Sequence, residues 1–278
     1  MENYTSIQIR RHTAAAMSGI VDIVLMRPEK ANALDMVLIE ELTESLKHLR
    51  RSNGIRLLQL KAVGKHFCAG ADLEWMKHSV ELSQEENLHQ TRKMAQAFKL
   101  LYEFPCLTIA YPFGGIYGGG VGICAACDFV IAQPQARFCL SEVKLGLIPA
   151  VILPYLHRRM GLQKLRYAAH AAQMLDAEEA LSVGLVDHVL QEDKGGGQLM
   201  DFVKGLLSGG TEAQRALKAL EQKIFPIGAD CMEQTCQQIA TLRQQSEAQE
   251  GLRAFFAGAT PAWKKPLPSL TEFVGHEN

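Results

Sequence analysis

Hydrophobic and polar positions alternate between two periods along this chain. Ser6 to Arg11 alternates weakly, and Gly19 to Leu25 (GIVDIVL) is a short apolar run rich in β-branched residues. Both predict strands, joined around an Ala-rich turn at Ala14–Ser18. RPEKANALD then breaks the pattern, and Asp35 is placed to cap a helix. Leu38, Ile39, Leu42, Leu46 and Leu49 recur at helical spacing, which predicts an amphipathic helix from Met36 to about Arg50. Ile55 to Ala62 (IRLLQLKA) reads as the next strand. A short helix from Asp72 to about His78 follows the turn GKHFCAGADL. Ser83 and Glu86 form a capping box that opens a helix to about Tyr102. Cys106 to Tyr111, Phe129 to Ala132 and Arg137 to Leu140 read as strands. Pro149 and Pro154 predict a helix that begins late within Leu147 to Arg159. Asp176 and Glu179 cap a helix from Ala177 to Ser182, stopped by Gly184.

Strands and helices thus alternate to about residue 190. Gly195-Gly196-Gly197, after the polar QEDK, reads as a flexible connection, and the chain beyond it is helical in pattern. The expected division is residues 1–195, an α/β core; 196–260, a helical segment; and 261–278, an extended tail with Pro261, Pro266 and Pro268.

Composition narrows the functional classes. Lys and Arg total 29 against 30 Asp and Glu, for a net charge of −1 over 278 residues. That balance argues against a nucleic-acid partner, leaving only a local basic patch at His157-Arg158-Arg159 or Lys264-Lys265. The seven cysteines are odd in number and scattered, so they are no disulfide framework. Cys124 and Cys127 form a lone CxxC without a second pair, which argues against a metal site. MENYTSIQIRR has no apolar signal region, and no stretch approaches the ~20 apolar residues of a membrane span. A cytoplasmic protein is expected.

Two similar constructions lie about fifty residues apart. The first is strand LLQLKA, then Cys68-Ala69-Gly70-Ala71-Asp72, then a helix. The second is strand CLTIAY, then Gly114 to Gly120 (GGIYGGG), then an apolar helix. Small residues allow sharp turns and close ligand approach. Helix N-termini carry free N–H groups and partial positive charge, and two of them aimed at one point would make an oxyanion hole. Neither the dinucleotide spacing GxGxxG nor a P-loop fits; tight helix packing without chemistry stays open. Glu142, among Leu140, Val143 and Leu145, would be fitted for proton transfer if it faced a closed pocket. Asp128 suits a hydrogen-bonding role at a helix end.

RPEKANALD, GKHFCAGADL, GGIYGGGVGICAACD, SEVKLGLIPA and AEEALSVGLVDHV, in that order and spacing, resemble the crotonase superfamily of enoyl-CoA hydratases and isomerases. The resemblance covers about residues 5 to 260. It implies an α/β fold built as a crotonase-like spiral of ββα units, with a C-terminal helical trimerisation segment. It further implies a homotrimer or dimer of trimers that takes an acyl-CoA substrate, with no cofactor beyond the substrate's coenzyme A. The backbone N–H groups of Ala71 and Gly119 would hold the thioester oxygen. Ala69, Gly70, Asp72 and Leu73 would lie along the coenzyme A, with Arg27 and Lys30 toward its phosphates. Trp75, Met76, Tyr117, Gly122 and Ile148 would line the acyl pocket, and no metal is expected.

Typical hydratases of the superfamily place two glutamates around the water. Glu142 matches the second, but Gly122 stands where the first would be. GKHFCAGADLEWM, FCLSEVKLGLIPAVILPY and EAQEGLRAFFAGATPAW are similar to a bacterial subgroup of methylglutaconyl-CoA and isohexenylglutaconyl-CoA hydratases, which also has this glycine. The resemblance implies hydration of a 3-branched glutaconyl-CoA in leucine or acyclic terpene breakdown. The substrate's distal carboxylate would hold the water in place of the missing glutamate, or pair with Lys144. The alternative is a Δ3,Δ2-enoyl-CoA isomerase with Glu142 as its single base.

Overall fold

The structure is a computed structural model, and it describes residues 4–12, 17–191 and 195–264. β1 (Ile7–Arg11) pairs antiparallel with β2 (Ile20–Leu25). The turn expected at Ala14–Ser18 falls largely outside the described residues. α1 (Met36–Arg50) begins where Asp35 accepts the Leu38 N–H, 2.8 Å away, an N-cap that satisfies a donor the helix cannot. β3 (Leu57–Ala62) leads to α2 (Leu73–Ser79), capped by Asp72, and to α3 (Gln84–Tyr102), which opens on the predicted Ser83–Glu86 capping box.

β4 (Leu107–Ala110), β5 (Gly115–Tyr117), α4 (Gly119–Ala126), β6 (Phe129–Ala132) and β7 (Arg137–Cys139) follow. Next come 3-10 turns at Glu142–Leu145 and Ala150–Ile152 and α5 (Leu153–His170), whose helix is broken at Gly161. Pro154 is accommodated in the first turn of α5, where a missing N–H costs nothing. β8 (Met174–Asp176), α6 (Ala177–Ser182) and β9 (His188–Val189) complete the α/β part. β5, β8 and β9 escape prediction because two or three residues are too few to show a period.

β1-β2-β3-β4-β6-β9 form one sheet, parallel from β2 onward and in chain order; β5-β7-β8 form a second. Successive units add a strand to the first sheet and, from β4 onward, a short strand to the second, as expected of an α/β spiral of ββα units. Side chains alternate across the large sheet. Val21, Leu58, Ala110 and Val130 join the main core, while their neighbours Ile20, Leu57, Ile109 and Ile131 face a second cluster with Val203.

Val203 lies on α7 (Gly195–Ser208), and this helix corrects the flexible connection expected at Gly195–Gly197. Leu199, Phe202, Val203 and Leu206 form a stripe against the sheet, so packing dictates the helix. The glycines occupy its first turn, where no N–H has an intrahelical partner. α8 (Thr211–Ile224), α9 (Ala229–Arg243) and α10 (Ser246–Phe256) follow. The α8 residue Lys218 reaches Asp128 Oδ2 at 2.6 Å and the Cys106 carbonyl at 3.1 Å. Asp128 also accepts the Thr108 N–H, so it ties α8 to β4 and β6. α9 packs on α3, and α10 on the turn that carries Glu142. Of the predicted tail, residues 265–278 lie outside the described residues. No described helix is long and apolar enough to cross a membrane.

Candidate active site

The two glycine-rich turns are brought together by register. Cys68 forms an isolated parallel bridge with Ile116, and the Tyr117 N–H donates to the Cys68 carbonyl at 3.0 Å. Three residues further along each segment stand Ala71 and Gly119. Gly70 has φ +88°, and a Cβ there would sit 3.0 Å from the Tyr117 carbonyl oxygen, so the close approach of the two segments requires glycine.

Both amides are left available by their surroundings. Ala71 bridges Leu34, and the bonds of that bridge run from Leu34 N–H to the Gly70 carbonyl and from Asp72 N–H to the Leu34 carbonyl. The Ala71 N–H therefore points to the opposite side. Gly119 is the first residue of α4, ahead of the intrahelical ladder. Neither N–H has a backbone acceptor among the described residues.

Ala71 and Gly119 open onto one cavity of about 510 Å³. Its wall also contains Glu142, Ala69, Gly70, Leu73, Trp75, Met76, Tyr117 and Ile148, all expected from the sequence. The Glu142 carboxylate lies beside Gly118, the residue before the Gly119 donor. A Cβ at Gly118 would come within 2.8 Å of Glu142 Oε1. Glu142 Oε2 is buried and accepts no hydrogen bond within the described residues. Burial raises the Glu142 pKa from 4.5 to about 7, since the charged form loses water without gaining a cation. Cys68 is buried behind the turn, and desolvation pushes its thiol up to about 12, which makes it a packing residue. The CxxC thiols are likewise buried and raised, Cys127 to about 12.

Four expected residues do not line the cavity. Gly122 is covered: a Cβ there would overlap Ile152 Cγ2 and lie 3.1 Å from the Phe98 ring. Ile152, itself in the cavity wall, occupies the room that a first glutamate would need. Arg27 is engaged internally, 2.9 Å from Asp35, 3.3 Å from Asp72 and 2.6 Å from the Ala33 carbonyl. Asp72 is buried by that pair and by its cap of α2. Lys30 lies on the turn before α1, paired at 3.0 Å with the exposed Glu74. Lys144 does line the cavity, and its amine donates to the Ala172 carbonyl at 2.9 Å.

Part of the wall comes from residues far along the chain that the sequence does not assign to the site: Ile239 and Arg243 of α9, Leu252 and Phe255 of α10, and Pro261. They arrive from more than 160 positions beyond Trp75, and no local signal joins them to the site.

A family model described as enoyl-CoA hydratase/isomerase matches residues 15–266. The crystal structure of an enoyl-CoA hydratase from Shewanella pealeana is 35% identical, with a TM-score of 0.75 over 94% of this chain and 97% of that one. A mitochondrial methylglutaconyl-CoA hydratase of Homo sapiens is 30% identical over 263 residues, 91% of this chain and 76% of that protein. An enoyl-CoA isomerase/hydratase of Mycosarcoma maydis is 32% identical over 187 residues, 64% and 67% of the two.

Proposed function

The chain belongs to the enoyl-CoA hydratase/isomerase family, and from that membership we propose that this hydratase-type enzyme adds water to a 3-branched glutaconyl-CoA. The substrate is 3-methylglutaconyl-CoA or isohexenylglutaconyl-CoA, from leucine or acyclic terpene catabolism. The observation that carries the reaction is the Glu142 carboxylate, its Oε2 buried without a partner, in the same cavity as two free, register-matched N–H donors. Similarity to a methylglutaconyl-CoA hydratase supports the substrate class.

In this reading the N–H groups of Ala71 and Gly119 hold the thioester oxygen. Ionised Glu142 accepts a proton from water as its oxygen bonds to C3 and the C2–C3 π electrons move toward the thioester. The enolate charge collects on the oxygen held by both amides, and the proton held by Glu142 then passes to C2. Donors already aimed at a developing oxyanion are each worth ~10²–10³ in rate. With Ile152 beside Gly122, there is no room for a first glutamate, and Glu142 alone holds the water. Ala69, Gly70 and Leu73 flank the coenzyme A, and Lys30 exchanges Glu74 for a phosphate.

Leu217, Leu220 and Ile224 are all exposed on one face of α8 at helical spacing. They support assembly as a trimer or a pair of trimers, measurable by sedimentation. The function is tested by offering 3-methylglutaconyl-CoA, its isohexenyl counterpart and a straight-chain enoyl-CoA to the purified enzyme in isotopically labelled water. Oxygen label at C3 of a branched product supports the proposal. Double-bond migration without oxygen incorporation would instead make the enzyme an isomerase with Glu142 as sole base.

A further inference from the structure

Most buried or half-buried cations of this protein face a carboxylate. Arg27 meets Asp35 and Asp72, Arg159 meets Asp187, Lys61 meets Asp22, and Lys218 meets Asp128. Arg243 is the exception in the cavity wall: it is half-buried and forms no ion pair among the described residues. Its hydrogen bonds are both long and both use Nη1, 3.4 Å to Asn87 Oδ1 and 3.4 Å to Thr91 Oγ1. Both partners are neutral. Nε and Nη2 bond to no described residue.

The guanidinium is nevertheless held in place. Its carbon stands 5.5 Å from the centre of the Trp75 ring, and the Trp75 indole is itself fixed by a 2.7 Å bond to Gln90. The cavity wall it shares is largely apolar, with Met94, Ile239, Leu252 and Phe255 among its residues. Desolvation lowers the Arg243 pKa to about 10, with no acid to offset it. A charge kept in such a place without a partner is costly, and the cost is removed when an anion binds there.

We infer that Arg243 is the binding site for a carboxylate at the far end of the acyl chain, so that the enzyme selects dicarboxylic acyl-CoA thioesters. The inference rests on the reading of this cavity as an acyl-CoA site. Trp75, which carries the guanidinium on its ring, follows Ala71 by four residues, and Arg243, Ala71 and Gly119 all line the one cavity. An acyl chain held at C1 by Ala71 and Gly119 therefore extends within the same chamber as the guanidinium. Arg offers a planar fork that takes both oxygens of a carboxylate, which Lys144, also in the wall, does not. Arg243 is thus a specificity-determining residue for the acyl end.

The test compares two substrates matched in length and branching, 3-methylglutaconyl-CoA and 3-methylpent-2-enoyl-CoA. It uses the wild-type enzyme, Arg243→Met and Arg243→Lys. The wild type is expected to favour the dicarboxylic thioester by about 10²-fold or more in kcat/KM. Arg243→Met abolishes that ratio, and Arg243→Lys keeps part of it. Binding of the unreactive glutaryl-CoA and pentanoyl-CoA is measured by calorimetry in parallel; the wild type is expected to bind glutaryl-CoA more tightly. A preference that Arg243→Met leaves intact overturns the inference, and if that variant fails to fold, Arg243→Lys decides by the same ratio. Equal kcat/KM and equal affinity for the paired thioesters in the wild type overturn the inference while the hydratase reading stands. Turnover of neither thioester overturns the hydratase reading, and the glutaryl-CoA preference of the wild type against that of the Arg243 variants then judges Arg243.

Discussion

Glu142→Gln is expected to abolish most activity and to make the protein more stable. The carboxyl titrates near 4.5 in the unfolded chain and near 7 in the folded protein, because burial disfavours its charged form. That difference corresponds to up to ~3 kcal/mol between the two protonation states. Between these values the folded protein binds more protons than the unfolded chain, so stability falls as pH rises. Below about pH 4 both states are protonated and the carboxyl contributes nothing. Above about pH 8 the full penalty is present. Gln has the shape of Glu and no charge to desolvate, so the variant escapes the slope. Urea unfolding at pH 4, 6 and 8, at one fixed protein concentration, reads the difference. The two proteins should coincide at pH 4, and the variant should be up to ~3 kcal/mol more stable at pH 8. At saturating substrate kcat should fall by ~10²–10⁴. A variant no more stable than wild type at pH 8 would falsify burial as the source of the raised pKa.

The same ionisation should govern rate in the wild type: kcat rises with pH through an apparent pKa near 7, since ionised Glu142 is the acceptor, and a profile flat from pH 5 to 9 would remove it from that role. Gly118→Ala forces a methyl onto Glu142 Oε1 at a residue with φ +43°. It should lower kcat more than it raises KM, measured by steady-state kinetics. Gly122→Ala should destabilise the fold by ~1–3 kcal/mol through overlap with Ile152; thermal melts of the single and the Gly122→Ala/Ile152→Ala proteins should show partial recovery in the double. Lys30→Ala should raise KM for acyl-CoA at constant kcat, whereas Arg27→Ala should mainly lower the melting temperature, because Arg27 holds Asp35 and Asp72.

Local chemistry made much of this fold legible. Asp35, Asp72, Ser83–Glu86 and Asp176–Glu179 are caps whose donors lie within three residues, so their helices begin where the sequence places them. Glu142, Ala71 and Gly119 were legible as motifs, and the bridge between Cys68 and Ile116 supplied the missing register. What stayed hidden depends on distant contacts. Ile152 against Gly122 is a matter of volume, and volume has no sequence period. Arg27 looked available for phosphate because Asp35 and Asp72 are brought to it only by folding. Arg243 reads as an ordinary basic residue at a helix end until α9 sets it against Trp75, 168 positions away.

The cavity wall is assembled from both ends of the chain, in the order of synthesis. Trp75 and Glu142 emerge from the ribosome long before Arg243, Leu252 and Phe255. Contacts between segments far apart in the chain carry a larger loop-closure cost and form more slowly than local ones. A nascent chain halted near residue 225 would hold the strands, both glycine turns and Glu142, with the acyl chamber open along one side. The acyl chamber is therefore closed last, as α9 and α10 dock.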